Sequence, residues 1–487
     1  VETPSRWWHA KNQIMTYEKI TDNQSQWERT RLFVREALND NESDFTAEPV
    51  NRALGLLAIP MMLEMAMEAI FAVVDIAFVS RLGTNAIAAV GLTEALITVL
   101  YALAIGLGMG VTAMISRRIG SRDSSSAAYV LGQAIWVGLA ISMVVGTLGV
   151  IYAADLLWMM GADEAVIAEG KGFTAVLLGG NASILFLFLL NAGFRGAGDA
   201  PVALRSLMLA NGLNILLDPC LIFGLGPFPE LGVTGAAVAT TIGRSIGVLY
   251  LLWYLFGGRG RLQFNVRNLA IVPSLLARMI RISLGGIAQF FIATSSWIAI
   301  IRVVAMYGSA PIAAYTIAIR LMEFVFLPAW GLGNAAATLV GQNLGAQQPD
   351  RAERAVWVAS RYNTAFMTVL GLIFFILAPW IIALFTSDPE IRRYGINCLR
   401  ILSIGYPMYA VGMIVIQALN GAGDTRTPSL LNFVAFWVMQ IPLAYWMATS
   451  VGMGPNGVFT AIVLSESALT ILGVMVFRRG KWRTQVA

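Results

Sequence analysis

The chain has 487 residues, of which 57% are hydrophobic and only 13% charged, and its mean hydropathy is +0.70. That composition excludes an ordinary soluble globular protein and implies an integral membrane protein. The net charge of +5 needs no nucleic acid to explain it, because arginine gathers in short loops between apolar segments.

The first fifty or so residues are polar and of mixed charge, with no apolar core to serve as a secretory signal. Within them "WERTRLFVREAL" places Trp27, Arg31, Val34 and Leu38 at helical spacing, which fits a helix on a membrane surface or a loosely structured tail. From Ala53 onward twelve segments are long enough to cross about 30 Å of hydrocarbon as helices. They fall near 53–79, 86–115, 127–152, 173–195, 202–225, 233–256, 279–307, 313–340, 356–377, 397–419, 429–450 and 456–477. One set of loops, with the C-terminus, carries eighteen Arg and Lys, among them Arg117, Arg195, Arg261 and Arg351; the opposite set carries four, Arg81, Lys171, Arg392 and Arg393. The excess of positive charge marks the cytoplasmic side, so both termini are expected there, in a bacterial or archaeal inner membrane.

The acids inside these segments carry the functional signal, since a charge in hydrocarbon costs from about 2.5 to over 10 kcal/mol unless something offsets it. The first segment holds Pro60 and then Glu64, Glu68 and Asp75 on one stripe. Asp75 lies roughly 8 Å below the outer end. Glu94 is eight residues into the second segment, at a similar depth. In the fifth, "NGLNILLDPCLIFG" puts Asn211, Asn214 and Asp218 on one helical face, and Pro219 frees the carbonyl of Ile215. Asn181 in the fourth and Thr240 in the sixth lie near 12 Å from the same side, so one polar layer is expected. Two carboxylates with amide, hydroxyl and backbone oxygens suit protons or a small hard cation such as Na⁺. The bland alternative is that the acids only bond neighbouring amides and tie helices together. Aromatic and methionine side chains, Met61, Met62, Phe71, Phe290, Phe291, Trp297, Met322, Phe326 and Trp330, are candidates for a substrate cavity or simply for packing.

The chain is also a duplication. "FRGAGDAP" at 194–201 returns as "LNGAGDTR" at 419–426, and "RLGTNAIAA", Gly120 and Asp163 return as "MYGSAPIAA", Gly345 and Asp388, all 225 residues on. "GVTGAAVAT" and "GPNGVFTAI" match at an offset of 222. Six helices per copy leave both copies running the same way through the membrane, as two parallel bundles. The expected organisation is a polar tail (1–52), an N-lobe (53–257), a joining loop (258–278), a C-lobe (279–477) and a basic end (478–487). At the 225 offset Asp75 and Asp218 become Ile300 and Leu443, so the six-helix unit does not need the acids to fold. The shared glycines read as backbone scaffold.

The ordered signals Pro60 with "VDIAFVSRLG", "LNAGFRGAGDAP", "NILLDPCLIFGLG", "GVTGAAVAT", "LVGQNLGA" and "GAGDTRTP" resemble the multidrug and toxic compound extrusion (MATE) family over everything after the tail. The resemblance is to its DinF-like branch and implies an all-α protein of twelve helices in two lobes. It implies a secondary antiporter that expels organic, often cationic or amphipathic, compounds in exchange for H⁺ or Na⁺ by alternating access. It places the cation site on Asp75, Asn214, Asp218 and Thr240, and a helix bend at Pro60. Asn181 and Glu94 are added from depth, and Glu68 from its place on the Asp75 stripe, where it could extend the pathway inward. No catalytic residue, cofactor or resident metal is expected beyond the coupling ion, and the partners are the bilayer and small-molecule substrates, with the chain acting as a monomer. The second reading, a lipid or lipid-linked sugar flippase of the wider superfamily, calls for a basic central cavity. An enzyme is disfavoured by a single histidine, His9, in the tail, and by the absence of a nucleophile motif or metal-ligand spacing.

Overall fold

The computed structural model describes residues 26–39 and 43–485, except for the side chains of Ala72, Asp75 and Ile76; His9 lies outside the described residues. Helix α1 (Gln26–Leu38) is followed by twelve membrane-length helices among the described residues, and there is no strand among them. The N-lobe comprises α2 (Val50–Val79), α3 (Thr84–Gly120), α4 (Ser124–Ile151), α5 (Glu164–Ala197), α6 (Ala200–Phe223) and α7 (Val233–Phe256). The C-lobe comprises α8 (Pro273–Ala305), α9 (Ser309–Gly345), α10 (Pro349–Ala383), α11 (Pro389–Gly421), α12 (Arg426–Thr449) and α13 (Pro455–Arg478). The expected fold class therefore holds, with three local differences. The helices are longer than their apolar cores, and α2 begins at Val50. The fourth span is broken at Gly180 into Glu164–Gly179 and Asn181–Ala197. The joining segment is shorter, because α8 starts at Pro273.

The duplication is written into the backbone. Gly83 and Gly308 have φ of 106° and 99°, and Gly198 and Gly423, the turns of the two GAGD motifs, have 94° and 88°. Even the non-glycine residues with positive φ, Arg122 (60°) and Gln347 (58°), are a 225-residue pair. Asp163 and Asp388 both cap a helix, accepting from Val166 N and from Glu390 N and Ile391 N. Helices α7 and α13 are each 24 residues long, entered through Gly232 and Gly454 with φ of 55° and 58°.

The lobes meet along a seam where α2 and α3 face α9 and α8. The contact is tightest towards the face that carries the termini. A Cβ on Gly120 would stand 1.9 Å from the Gln342 carbonyl oxygen, and one on Gly345 1.9 Å from that of Arg117. Deeper in, Gly106 meets the backbone of Ile287 and Gly331 that of Met61 and Met62. Gly120 and Gly345 are helical, with ordinary φ. The scaffold role read for these two has a specific cause: they are glycines because two backbones touch there.

The segment before α2 crosses the same end of the seam. Arg261, from the joining loop, donates to the Ser43 carbonyl at 2.7 Å and stacks 4.4 Å over the Phe45 ring. From the C-lobe, Arg351 donates to the carbonyls of Phe45 and Glu48. Burial opposes ionisation of Asp44, but hydrogen bonds from Thr46 and the charges of Arg122 and Arg261 outweigh it and hold the carboxyl below its ordinary range. This clasp is therefore intact above the ordinary carboxylate pKa and weakens as pH falls through the lowered one. Helix α1 packs on α2 through Phe33, whose ring lies 2.7 Å from where a Gly55 Cβ would be, and through Arg52–Glu36 at 2.6 Å. Ala37 is buried against the body of the protein, whereas Trp27 is 71% exposed. Replacing Arg351 by alanine removes the C-lobe's hold on the clasp, and hydrogen exchange at residues 43–49 is expected to rise at least fivefold while exchange in α10 is unchanged.

Candidate functional site

Between the lobes, beyond the seam, lies a cavity of about 670 Å³, a size that holds a drug-like molecule. The glycine contacts close it towards the face carrying the termini, so it faces the opposite side. Its wall is largely apolar. Phe71, Phe290, Trp297, Met322, Phe326 and Trp330 line it, whereas Met61 is packed in the core and Phe291 is 60% exposed on the outer surface.

The N-lobe polar layer adjoins this cavity. Asn211, Asn214 and Asp218 are all buried on α6, and Asp218 is wholly inaccessible. The Asn214 amide donates to Thr240 Oγ1 of α7 at 2.9 Å, bringing together two of the expected residues. Asn214 Oδ1 is buried with no hydrogen-bond partner. Such an atom costs about 1–3 kcal/mol unless a ligand or ion meets it. The side chain of Asp75 lies outside the described residues, although its helix α2 packs against α6. Pro60 is buried within a continuous α2, one residue from the Gly331 contact.

Other expected residues are placed differently. Asn181 begins the second half of the broken α5, and its amide donates to the carbonyls of Ser142 (3.1 Å) and Leu178 (2.6 Å). It ties α4 to α5, and none of these bonds reaches the Asn214–Thr240 pair. Glu94 lies on the cavity wall, within electrostatic reach of Arg320 of the other lobe, rather than in the α6 layer. Glu68 also lines the cavity, where it accepts from Asn211 at 3.4 Å and stands 3.8 Å from Arg244. Glu64 is buried and pairs at 2.6 Å with Arg195. Arg195, counted among the loop charges, is instead a helical residue with 12% side-chain exposure. Removing one partner of such a pair costs about 3–5 kcal/mol, which makes Glu64 a strut.

Among the charged cavity residues, sequence reasoning missed two. Arg244 on α7 donates to the Tyr101 hydroxyl at 3.1 Å and faces Glu68. Glu466 on α13 lines the C-lobe side. Each was visible as a lone charge in an apolar run, but neither lies in a repeated motif. The cavity thus carries four carboxylates, Glu68, Glu94, Glu323 and Glu466, against the two guanidinium groups of Arg244 and Arg320. Among the described residues no group of three or more His, Cys, Asp or Glu could hold a metal, and Cys220 and Cys398 are free thiols.

A family model, MatE, matches the chain twice, at residues 60–220 and 287–446, once in each lobe. The chain is 26% identical over 435 residues to the probable multidrug resistance protein NorM of Thermotoga maritima, covering 89% of this chain and 93% of the relative. It is 27% identical over 432 residues to the probable multidrug resistance protein YoeA of Bacillus subtilis, covering 88% and 93%. Among solved structures it resembles the outward-facing conformation of a multidrug resistance MATE family transporter of the MOP superfamily. There the TM-score is 0.85 and the identity 26%, over 92% of this chain and all of the other.

Proposed function

The chain belongs to the MatE family of transporters, and from that premise we propose that it is a multidrug antiporter that exports organic, often cationic or amphipathic, compounds in exchange for H⁺ or Na⁺. The observation that carries this reading is the asymmetry of the polar layer. Asn214 meets Thr240 inside the N-lobe, Asp218 lies buried one helical turn further along α6, and the repeat puts Leu443 where Asp218 stands. Within the family this favours the DinF-like arrangement, with coupling in the N-lobe through Asp75 and Asp218.

In this reading the conformation is outward-facing: the seam closes the cavity towards the face that carries the termini, and the excess of Arg and Lys assigns that face to the cytoplasm. Binding of a proton or Na⁺ at the N-lobe layer lets α2, which touches both α6 and α9, change its packing. Opening the seam on the cytoplasmic side then exposes the cavity to a new substrate, and reclosing carries it outward. Two lobes rocking about one cavity need no partner subunit, so a monomer suffices. The net acidity of the cavity disfavours the flippase reading, which calls for basic side chains.

The test is transport by the purified protein in sealed vesicles, with a pH gradient and a Na⁺ gradient imposed separately. One gradient, and not the other, is expected to drive accumulation of a fluorescent organic cation. Accumulation with neither would overturn the antiport reading.

A further inference from the structure

The duplication extends into the chain that precedes α2. Residues 43–49 stand 225 positions before 268–274, the end of the joining loop, and each segment runs straight into the first helix of its copy, α2 or α8. Each also lies against the third helix of the opposite lobe. The Ala270 carbonyl accepts from Gln133 Nε2 of α4 at 2.9 Å, and the carbonyl 225 residues earlier, that of Phe45, accepts from Arg351 of α10 at 3.0 Å. On α4 the grip is completed by Val272 N donating to Gln133 Oε1 at 3.0 Å and by Trp136 Nε1 donating to the Leu269 carbonyl at 2.7 Å. Residues 43–49 are therefore the first copy's counterpart of the joining loop.

The two clasps are held differently. The joining loop is continuous with a lobe at each end, and its grip on α4 uses neutral amide and indole groups. Residues 43–49 are continuous with the N-lobe alone, through α2, and arginines hold them. Arg261 donates to the Ser43 carbonyl at 2.7 Å, and its own backbone N–H donates to Asp199 of the N-lobe at 2.8 Å. Arg122, in the turn after α3, stands 3.7 Å from Asp44. Phe45 is 2% exposed and seats on the N-lobe GAGD turn, where a Cβ on Gly198 would lie 2.7 Å from its ring. Of these three arginines only Arg351, which also donates to the Glu48 carbonyl, belongs to the C-lobe. The segment is thus seated in one lobe and reaches the other through a single guanidinium. If the lobes part at the seam, α10 moves away from Gly198 and Arg261, and the bonds to Arg351 are the ones that break.

We propose that residues 43–49 are a latch across the seam: Arg351 holds them while the seam is closed and must release them before the cavity opens towards the face that carries the termini. Bonds made only in the closed state stabilise that state alone, so the latch sets how often the seam opens. The inference goes beyond the export reading and takes from it only that the two lobes part at this seam.

The test uses the full chain with Cys220 and Cys398 replaced by alanine. Spin labels at the exposed residues Ser125 and Gln348, one on each lobe, are expected to show a long-distance population at least threefold larger in Arg351→Ala than in the parent, with Arg351→Lys between the two. In vesicles, Ala47→Cys and Arg354→Cys, both at exposed positions, are joined by a short, reducible bis-methanethiosulfonate linker. Export of a fluorescent organic cation is expected to fall at least tenfold on linking and to return on reduction, which also reports that the pair is folded. The latch is refuted if linked and reduced proteins export at the same rate, or if Arg351→Ala leaves the distances as they are in the parent. Longer distances in Arg351→Ala, with no export by the unlinked proteins under a pH or a Na⁺ gradient, would instead refute the export reading and leave the latch standing.

Discussion

Replacing Asp218 by asparagine is expected to abolish gradient-driven export, by a hundredfold or more, while leaving the protein folded and inserted. The side chain is fully buried beside Asn214 and Thr240, so the isosteric amide keeps the packing but cannot bind a proton or offer a charge to Na⁺. Stability should change little, because the second lobe folds with Leu443 at the repeat-related position. Asp75→Asn is expected to behave alike, and the double variant to lose no more than either single one, since groups acting as one unit are strongly non-additive. Vesicle transport by the four proteins measures this. Partial activity in each single variant with multiplied losses in the double would show that Asp75 and Asp218 serve separate paths.

Replacing Gly120 or Gly345 by alanine is expected to reduce export at least tenfold by a different route, with the coupling site intact. Each added Cβ would lie 1.9 Å from a backbone carbonyl oxygen of the other lobe, and backbone cannot yield as a flexible side chain can. Overpacking of this kind costs about 1–3 kcal/mol, and one or two kcal/mol shifts an equilibrium by roughly a factor of 5–30. The penalty applies only while the seam is closed, so the closed-seam state is the one depopulated. Spin labels at the exposed residues Ser125 and Gln348 should report longer distances in the variants than in the wild type, with the Gly120→Ala/Gly345→Ala pair shifted most. Distances equal to the wild type's would show that the seam is not a moving contact.

The fold was legible because its causes are local and repetitive. Long apolar runs force helices wherever lipid cannot satisfy the backbone, and an even number of helices per copy sets both lobes parallel. Glycines that need positive φ, Gly198 and Gly423 among them, could be paired across the repeat for the same reason. Thr240 was found by counting depth and Asn214 by sharing a helical face with Asp218, and the two meet. The same counting gave the height of Asn181 but not its rotation: its amide nitrogen bonds the Ser142 carbonyl on α4, and its side-chain oxygen is buried without a hydrogen-bond partner.

Helical spans, their duplication and the replacement of Asp75 and Asp218 by Ile300 and Leu443 in the second copy were determined by the sequence alone, since each follows from residue type and spacing. Which charges face one another was decided only by the tertiary structure. Glu64 and Arg195 are 131 residues apart and meet at 2.6 Å; Glu68 reaches Arg244, and Glu466 looks across the cavity from the position that Arg244 holds in the other lobe. The role of Gly120 and Gly345 was likewise hidden, because nothing in a helix's own sequence tells which of its faces will touch another backbone. In a membrane the hydrophobic effect places helices in the bilayer but does not choose their neighbours, and close packing of small residues and buried polar pairs makes that choice.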